Sequence, residues 1–459
     1  MSGLQISNPH PYNFEDQNLR RTSTVNSSSY LIVDEKPPQP PKFQGGFFDG
    51  GVAATTARKT YLKAVGPAVG LICTAILLFL PLYWGSVVKS PGGALPGWVV
   101  DFDGGEIGAV VTNALAQLPV TEGGIQWTVL NASSFPGGVD QLSQAVLNEE
   151  VWYAMAVNPG LTANLTASLN STDPLKTYNP NNALSWIGVE ARNENIYRIH
   201  ARVVAAQVAG ITAKFTGSFL RIISSSDNVP QLLAASSDII SQPVYYTPIN
   251  LKPFDVLVAS APVFVGLFYL MILSFFVVNV AAGARMMSGV DTSLSLLQLI
   301  VLRLVTSFSA YFCLALFYLV LNLAFGLPVT RFFGGGGVLI FFFLTWLFIL
   351  ASGLAIESMV TILTLKFVPF FLLLWIISNV SITFFPIEVL PALYGYGWVW
   401  PMFNVSQAVR AIVFGTKNTI AINVAVLIVW IILSCLTLTG FQIVVRKKAM
   451  AAAAQAGKV

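Results

Sequence analysis

Residues of the types that carry out catalysis are few in this 459-residue sequence, and they lie far apart. The two histidines are His10 and His200, so a histidine-based metal site or catalytic triad is nearly excluded. The glycine run at 334–337 lacks the following Lys-Ser/Thr pair of a nucleotide-binding loop. The sequence therefore predicts no enzyme, no cofactor and no hydrolysis of nucleotides.

One acidic motif has side chains that could bind a cation. Asp101, Asp103 and Glu106 lie within Val-Asp-Phe-Asp-Gly-Gly-Glu, and carboxylates are the oxygen ligands that hard cations prefer. The alternative is a polar turn in which Asp103 caps the next helix. We expect the capping role and predict no metal site.

Charged residues in or beside apolar segments are the next candidates. Arg303 lies within a long apolar segment, where a charge is costly and usually faces a protein interior or a watery cavity. Because Arg303 is close to one end of that segment, snorkelling to the interface is the alternative. We expect Glu357 and Glu388 at segment ends, exposed at the interface rather than forming a proton relay.

A segment rich in proline and aromatic residues interrupts the apolar C-terminal half. It is too broken for one straight helix, and over residues 386–420 it predicts an interfacial or re-entrant helical hairpin with Tyr and Trp side chains at headgroup level. An ordinary outer loop is the alternative. The residues predicted to form a gate or path are Arg303, Pro386, Glu388, Pro391, Pro401 and Arg410.

The elements that must position these residues are membrane-spanning helices. The chain is 55% hydrophobic and 10% charged, whereas soluble domains carry roughly 25% charged residues. A span needs about 20 mostly apolar residues. Such segments occur near 64–85, 256–280, 297–325, 337–357, 367–387 and 421–445. The predicted fold is an α-helical polytopic membrane protein with about six transmembrane helices.

Six spans place both ends of the chain on the same side of the membrane. Basic residues cluster before the first span and after the last, which predicts that both termini are cytoplasmic. These residues are Arg58, Lys59, Lys63, Arg446, Lys447 and Lys448. Arg331, Arg410 and Lys417 would then lie outside, so the orientation depends mainly on the two ends of the chain.

The predicted spans divide the chain into five parts. Residues 1–52 are rich in Ser, Asn, Gln and Pro and predict a disordered cytoplasmic tail. Residues 53–85 hold an interfacial segment and the first span, and 86–255 form an extracytoplasmic domain. Residues 256–445 form a five-span membrane domain, and 446–459 a second cytoplasmic tail.

The extracytoplasmic domain alternates predicted strands with predicted helices. Such alternation is typical of a mixed α/β layer. The predicted strands are 98–102, 126–130, 151–157 and 184–189, and the predicted helices are 106–118, 139–147, 161–169 and 194–223.

Sequons for N-glycosylation cluster in this domain. Asn131, Asn164 and Asn170 each begin an Asn-X-Ser/Thr tripeptide, and Asn404 begins another in the last outer loop. We predict these four as glycosylation sites. The sequon at Asn379 lies inside an apolar segment and should be unreachable.

The order of elements resembles the membrane-spanning half of a class of ABC exporters, in which one span, a mixed outer domain and five further spans follow one another. Residues 98–115, 139–169 and 386–410 carry the likeness, which extends over most of residues 60–445. The ATPase domain of those exporters has no counterpart in this sequence. A separate ATPase as a partner, an ion gradient or movement down a gradient are then the alternative energy sources. The resemblance also makes a homodimer plausible, enclosing a path between two membrane halves.

The Phe-Phe-Pro-Ile-Glu-Val-Leu-Pro passage at 384–391, together with the polar Pro-containing tail, resembles the fungal nitrosoguanidine-resistance membrane proteins. That resemblance implies a permease that exports toxic small molecules or alters the lipid distribution of the plasma membrane, with internal membranes as the alternative location. Its partners would be membrane lipids and a small-molecule toxic substrate. A nucleic-acid partner is not expected, because the net charge of +4 is small and scattered. A non-transporting scaffold or regulator is the competing function.

Overall fold

The structure is a computed structural model that describes residues 46–88, 90–169, 174–224 and 237–456. The chain divides into two units, residues 1–70 and 71–459. In the first unit, the Arg58 guanidinium donates to the Phe47 carbonyl at 3.0 Å, and the Phe47 ring meets Tyr61 edge-on. Helix α1 covers Val52–Val88 as a single element, so the predicted interfacial segment does not form a helix of its own. The predicted tail falls almost wholly outside the described residues.

A mixed α/β domain follows α1. Its strands are β1 (Leu95–Asp101), β2 (Ile125–Leu130), β3 (Tyr153–Val157), β4 (Leu184–Gly188) and β5 (Tyr246–Asn250). Its helices are α2 (Glu106–Ala116), α3 (Gly138–Leu147), α4 (Leu161–Leu169), α5 (Pro174–Thr177), α6 (Glu194–Ile223) and α7 (Ser237–Ser241). The sheet order is β2-β1-β3-β4-β5. Only the β3–β4 pair is antiparallel, and β5 is the strand that the sequence did not predict.

The central strand β3 explains how the sheet is covered. All five of its residues are buried, as expected for a strand packed on both faces. Because side chains alternate along a strand, Ala154 and Ala156 pack in the cluster that contains Leu142 of α3. Tyr153 and Met155 pack on the other side with α2, α4 and α6.

Helix α6 is long and apolar enough to cross a membrane, with a mean hydropathy of 1.3 over its most apolar window. Its residues Ile196, Val204 and Val208 nevertheless belong to the core that includes Trp186 of β4. The Tyr197 ring stacks on Trp186 with 5.0 Å between centroids. Helix α6 is therefore part of the α/β domain, as the sequence predicted.

The membrane domain consists of long apolar helices. A 3-10 turn at Leu257–Ala259 and a π turn at Ala261–Val265 lead into α8 (Gly266–Ser288). The next elements are α9 (Val290–Ser293), α10 (Leu296–Ala324), α11 (Gly336–Val380), α12 (Pro401–Phe414) and α13 (Ile420–Ala456). Among the described residues, six helices are long and apolar enough to span a membrane, counting α6 and counting α11 once.

Helix α11 is in fact two spans. Its 45 residues would extend roughly 68 Å as a straight helix, more than twice the ~30 Å hydrocarbon core. The helix breaks at Thr364, where φ is 63° and ψ is 168°. Ser358 before the break and Phe371 after it line the same cavity, so the chain turns back at Thr364. The predicted fold of about six membrane-spanning helices with a mixed α/β domain is confirmed. Helix α11 covers the spans predicted at 337–357 and 367–387, and its second part ends at Val380.

The proline-rich segment consists of a largely exposed turn followed by a buried helix. After two 3-10 turns at Ile387–Val389 and Ala392–Val399, α12 begins at Pro401, where a missing N–H costs nothing. Every residue of α12 except Gln407 is buried. Within Ala392–Val399, by contrast, Leu393 and Val399 are 70% and 55% exposed, so an exposed turn leads into a short helix enclosed by the protein.

Two tyrosines of this segment form hydrogen bonds within the protein, and the position of its aromatic residues at headgroup level stays a prediction. The Tyr394 hydroxyl donates to the Leu82 carbonyl at 2.7 Å, and the Tyr396 hydroxyl to the Ser378 carbonyl at 3.0 Å. Trp398 is half exposed. The sequence could not separate these roles, because Tyr and Trp serve both at interfaces and in cores.

Candidate functional site

A cavity of about 270 Å³ lies where the α/β domain meets the proline-rich segment; we call it the domain-side cavity. Three of the predicted gate or path residues line it, namely Pro386, Glu388 and Arg410. Pro391 and Pro401 do not line it; Pro391 precedes the second 3-10 turn and Pro401 begins α12. The α/β domain contributes Glu149, Trp152, Arg192 and Asn193.

Arg410 joins α12 to the α/β domain at this cavity. Its guanidinium lies 2.6 Å from Glu194 Oε2 and also donates to the Ala191 carbonyl at 2.9 Å. Burial is the largest influence and would raise the pKa of Glu194, but the charge and hydrogen bond of Arg410, with a backbone hydrogen bond and the Arg198 charge, together lower it. Glu194 is thus held ionised, and the pair fastens the two parts of the molecule together.

Arg192 is the second cation of the domain-side cavity. Its guanidinium lies over the Trp152 ring, 3.5 Å from the centroid, and is 3.8 Å from Glu149 and 3.6 Å from Glu388. Burial lowers the pKa of Arg192, and the two carboxylates partly offset it. Because the cavity lining has two acidic and two basic side chains, it suits a dipolar group better than a net charge.

An apolar cavity of about 390 Å³ lies next along α13. Three tryptophans form its wall: Trp375 is 5.7 Å from Trp400 and 5.0 Å from Trp430 between ring centroids. None of its lining residues is charged. Leu374 and Leu433 line it while remaining 38% and 47% exposed, so this cavity is open at the surface of the helix bundle.

A third cavity, of about 480 Å³, lies at the end of the membrane domain away from the α/β domain. We call it the cationic cavity, because four basic side chains line it. They are Arg285, Arg303, Lys366 and Arg446.

Arg303 does not snorkel to an interface. It is 3% exposed, and its guanidinium binds Glu357 Oε1 at 2.6 Å, the Glu357 carbonyl at 2.7 Å and Gln442 Oε1 at 2.6 Å. Glu357 is 1% exposed, so its expected interfacial exposure is wrong. The turn at Thr364 encloses Glu357 with α8 and α10. Sequence spacing alone could not show that Arg285 and Gln442 lie close to Glu357 and Arg303.

The three cavities follow successive turns of α13. Ile422 and Asn423 line the domain-side cavity, Trp430 to Phe441 supply the apolar cavity, and Gln442 with Arg446 lines the cationic cavity. From Ile422 to Arg446 the helix rises by roughly 36 Å, which spans the ~30 Å hydrocarbon core. The three separate cavities thus form a series along α13 with polar ends and an apolar middle; we call this series the α13 groove.

Of the predicted glycosylation sites, Asn131 and Asn164 are exposed, and Asn170 lies outside the described residues. Asn404 is 3% exposed, and its amide nitrogen donates to the Trp398 and Trp400 carbonyls. The fold leaves no room for a glycan on Asn404, so that prediction is corrected. Asn379 is fully buried, as the sequence predicted.

The acidic motif is structural, but its capping role differs from the prediction. The Asp101 carboxylate accepts from the Asp103 backbone N–H at 2.9 Å. The Asp103 carboxylate accepts from the backbone N–H of Thr162 at 3.0 Å, so it caps α4 instead of α2. Across the described parts of the chain, His, Cys, Asp and Glu side chains form no cluster able to hold a metal ion.

These features define a multi-pass α-helical membrane protein with a small mixed-sheet domain and a series of cavities along its last helix. Residues 68–436 match the family described as a protein of unknown function, DUF3533, and the chain belongs to that family.

A relative in Saccharomyces cerevisiae is described as an uncharacterized endoplasmic reticulum membrane protein. It is 25% identical over 342 residues. The match covers 67% of this chain and 63% of the relative, so the chain spans less than two thirds of that relative's length. No solved structure matches.

Proposed function

We propose that this chain translocates amphipathic molecules, either membrane lipids or toxic small molecules, along the α13 groove. The observation that carries the proposal is the order of the three cavities: polar, apolar and polar again along one helix. A polar group that crosses a bilayer alone loses its hydration at a cost of several kcal/mol. Polar side chains at both ends of the groove replace part of that hydration.

The apolar middle of the groove suits the other half of such a molecule. Its exposed wall residues Leu374 and Leu433 let an acyl chain or aromatic body enter sideways from the bilayer. The tryptophans beside them offer large apolar surfaces with one polar edge. An amphipathic compound could thus keep its apolar part in lipid while its polar part moves along the groove.

The groove lies within one chain, so this proposal does not require a homodimer. Movement down a gradient requires no ATPase either, although a separate ATPase would make it directional. Resistance to nitrosoguanidine-type compounds would follow if such compounds, or the lipids that control their entry, move along the groove.

Location and orientation complete the proposal. Both termini would be cytoplasmic and the α/β domain on the opposite side of the membrane. The plasma membrane is the expected location, and the reticulum membrane named for the yeast relative supports an internal membrane as the alternative.

The test is movement of a fluorescent phospholipid between leaflets of liposomes that contain the purified full chain. We expect faster exchange than in protein-free liposomes. An unchanged rate with intact helical content would reject translocation and favour a non-transporting scaffold that binds partners through the α/β domain.

A further inference from the structure

The cationic cavity holds more positive charge than its acidic neighbours neutralise. Four basic side chains line it, and the two carboxylates within ion-pair distance of them belong to Asp291 and Glu357. The balance is two positive charges. Lys366 is exposed and Arg446 is half-buried, so an anion that approaches this end of the membrane domain meets a net positive charge.

One carboxylate oxygen serves two of these cations. Glu357 Oε1 lies 2.6 Å from Arg303 Nε and 3.1 Å from an Arg285 nitrogen. Asp291 is 3.4 Å from Arg285. These two acids therefore pair with Arg303 and Arg285, while Glu357 Oε2 has no hydrogen-bond partner among the described residues. Neither acid forms a described ion pair with the other two cations.

Arg446 and Lys366 carry the excess. Among the described contacts, Arg446 donates to two backbone carbonyls, those of Asp291 and Leu294, which accept hydrogen bonds but bring no charge. The Lys366 ammonium has the Phe367 ring 5.4 Å away and forms no ion pair with a described acid. Two positively charged side chains from α11 and α13 thus line the same cavity with no acidic partner.

The break in α11 supports a binding role. Thr364 lines the cavity with a positive φ of 63°, a conformation that L residues with a branched side chain rarely adopt. Strain of this kind persists where the surrounding structure maintains it, often at ligand sites. Lys366, just after the break, lines the same cavity as Arg446, and the hydroxyl-bearing residues Thr361 and Thr364 also belong to the lining.

We propose that the cationic cavity binds the phosphate group of an anionic membrane lipid. Phosphate oxygens suit the guanidinium of Arg446 and the ammonium of Lys366, and basic pockets between membrane helices recognise lipid headgroups. Its volume of about 480 Å³ lies within the usual range for small-ligand sites, ~300–1,000 Å³.

This inference rests on the proposed function only in treating the cavity as one end of the α13 groove; binding can be measured without transport. The probe is phosphatidic acid, compared with phosphatidylcholine, added to the purified full chain in detergent and counted as bound lipid by native mass spectrometry. We expect phosphatidic acid to be retained preferentially.

The variant Lys366→Gln with Arg446→Gln removes the two charges that lack an acidic partner. At about fivefold per charge, the preference for phosphatidic acid should fall roughly 25-fold. Lys447→Gln with Lys448→Gln is the matched control, since both lysines are exposed neighbours of Arg446 on the same helix and do not line the cavity. Lys366→Gln alone, expected to cost about fivefold, covers the case in which loss of Arg446 unfolds the chain.

Inorganic phosphate distinguishes the source of the phosphate. If it displaces phosphatidic acid at millimolar concentration, the cavity recognises phosphate itself; if it does not, the cavity requires the lipid. Both results support the site. Equal retention of the two lipids by the wild type, or an unchanged preference in both Gln variants, would overturn it.

The same preparations separate this inference from the proposed function. Exchange of phosphatidylcholine without preferential binding of phosphatidic acid would reject the cationic site and leave translocation standing. Preferential binding with no lipid exchange would reject translocation and leave the site standing.

Discussion

Glu357 is the residue on which the buried charges of the membrane domain depend. Its carboxylate neutralises both Arg303 and Arg285. An acidic residue that faced the lipid could not supply this shared counter-charge. A sequence shows such a residue only as a lone acid near the end of an apolar segment. Its partners lie 54 and 72 positions earlier, so their convergence depends on how the helices pack.

We predict that Glu357→Gln destabilises the protein by roughly 3–5 kcal/mol, because two buried guanidinium groups lose their shared counter-charge. Thermal unfolding in detergent measures the effect. Glu388→Gln is the matched control: its side chain is 34% exposed and its ion pair is longer, so a loss below about 1 kcal/mol is expected. Equal losses in both variants would contradict the assigned role of Glu357.

His200 makes the α/β domain sensitive to acid. It is fully buried, its Nε2 lies 3.0 Å from the Gly123 carbonyl, and burial lowers its pKa from 6.5 to about 4. Between pH 6.5 and about pH 4, His200 is protonated in the unfolded chain and neutral in the folded protein. Stability is therefore full above pH 6.5 and falls as the pH decreases toward 4, by about 3 kcal/mol in all.

The measurement compares unfolding of the wild type and of His200→Gln at pH 7 and pH 5. Glutamine can still donate to the Gly123 carbonyl but does not titrate, so the variant should lose less stability on acidification. An identical pH dependence in the two proteins would show that His200 is not responsible.

At the scale of elements, the turn at Thr364 converts one long helix into two spans. Sequence predicted both spans because their apolar segments are separated by the more polar residues 358–366. It could not predict that helical hydrogen bonding would continue so close to the reversal. Nor could it predict that one strained residue would carry the turn.

We predict that Thr364→Gly leaves stability unchanged or raises it by about 1 kcal/mol, since glycine adopts this positive φ without strain and offsets its own entropic cost. Thr361→Gly, one turn earlier in regular helix, should instead cost about 1 kcal/mol. Chemical or thermal unfolding in detergent gives both values. A comparable loss at the two positions would mean that residue 364 is not strained.

The α/β domain was predicted closely, and the proline-rich segment only in outline. The strands and helices from β1 to α6 could be recognised in the sequence, because short apolar segments typical of strands alternate there with segments of helical periodicity. The proline-rich segment has no such period, since almost every residue of α12 is buried on all sides. The strand β5 was missed because it is short and has no fully buried residue.

At the scale of the whole molecule, the α/β domain and membrane domain share one core. Ile382, Phe385 and Phe403 pack in the same cluster as Trp186 and Tyr197. The Arg410–Glu194 ion pair lies beside that cluster. A change in the α/β domain can therefore reach the domain-side end of the α13 groove through direct contacts.

Orientation predicts a pattern of glycosylation. If the α/β domain faces the lumen or the exterior, Asn131 and Asn164 should carry glycans, and Asn379 and Asn404 should carry none because both are buried. Glycosidase treatment followed by gel electrophoresis, with Asn131→Gln and Asn164→Gln as single variants, tests this. No mobility change in the wild type would contradict the proposed orientation, and a glycan on Asn404 would contradict the packing of α12.

The central claim is that amphipathic molecules move along the α13 groove, and blocking its middle tests that claim most directly. Thr437→Trp places a large ring in the apolar cavity, which Thr437 lines. Leu436→Trp adds a ring of the same size at the adjacent position, which is 66% exposed and does not line the cavity. With both variants folded in liposomes, we expect lipid exchange to fall at least about tenfold with Thr437→Trp, roughly 1.4 kcal/mol of added barrier, and to remain unchanged with Leu436→Trp. Equal exchange by the wild type and both variants would show that the molecules do not use this groove.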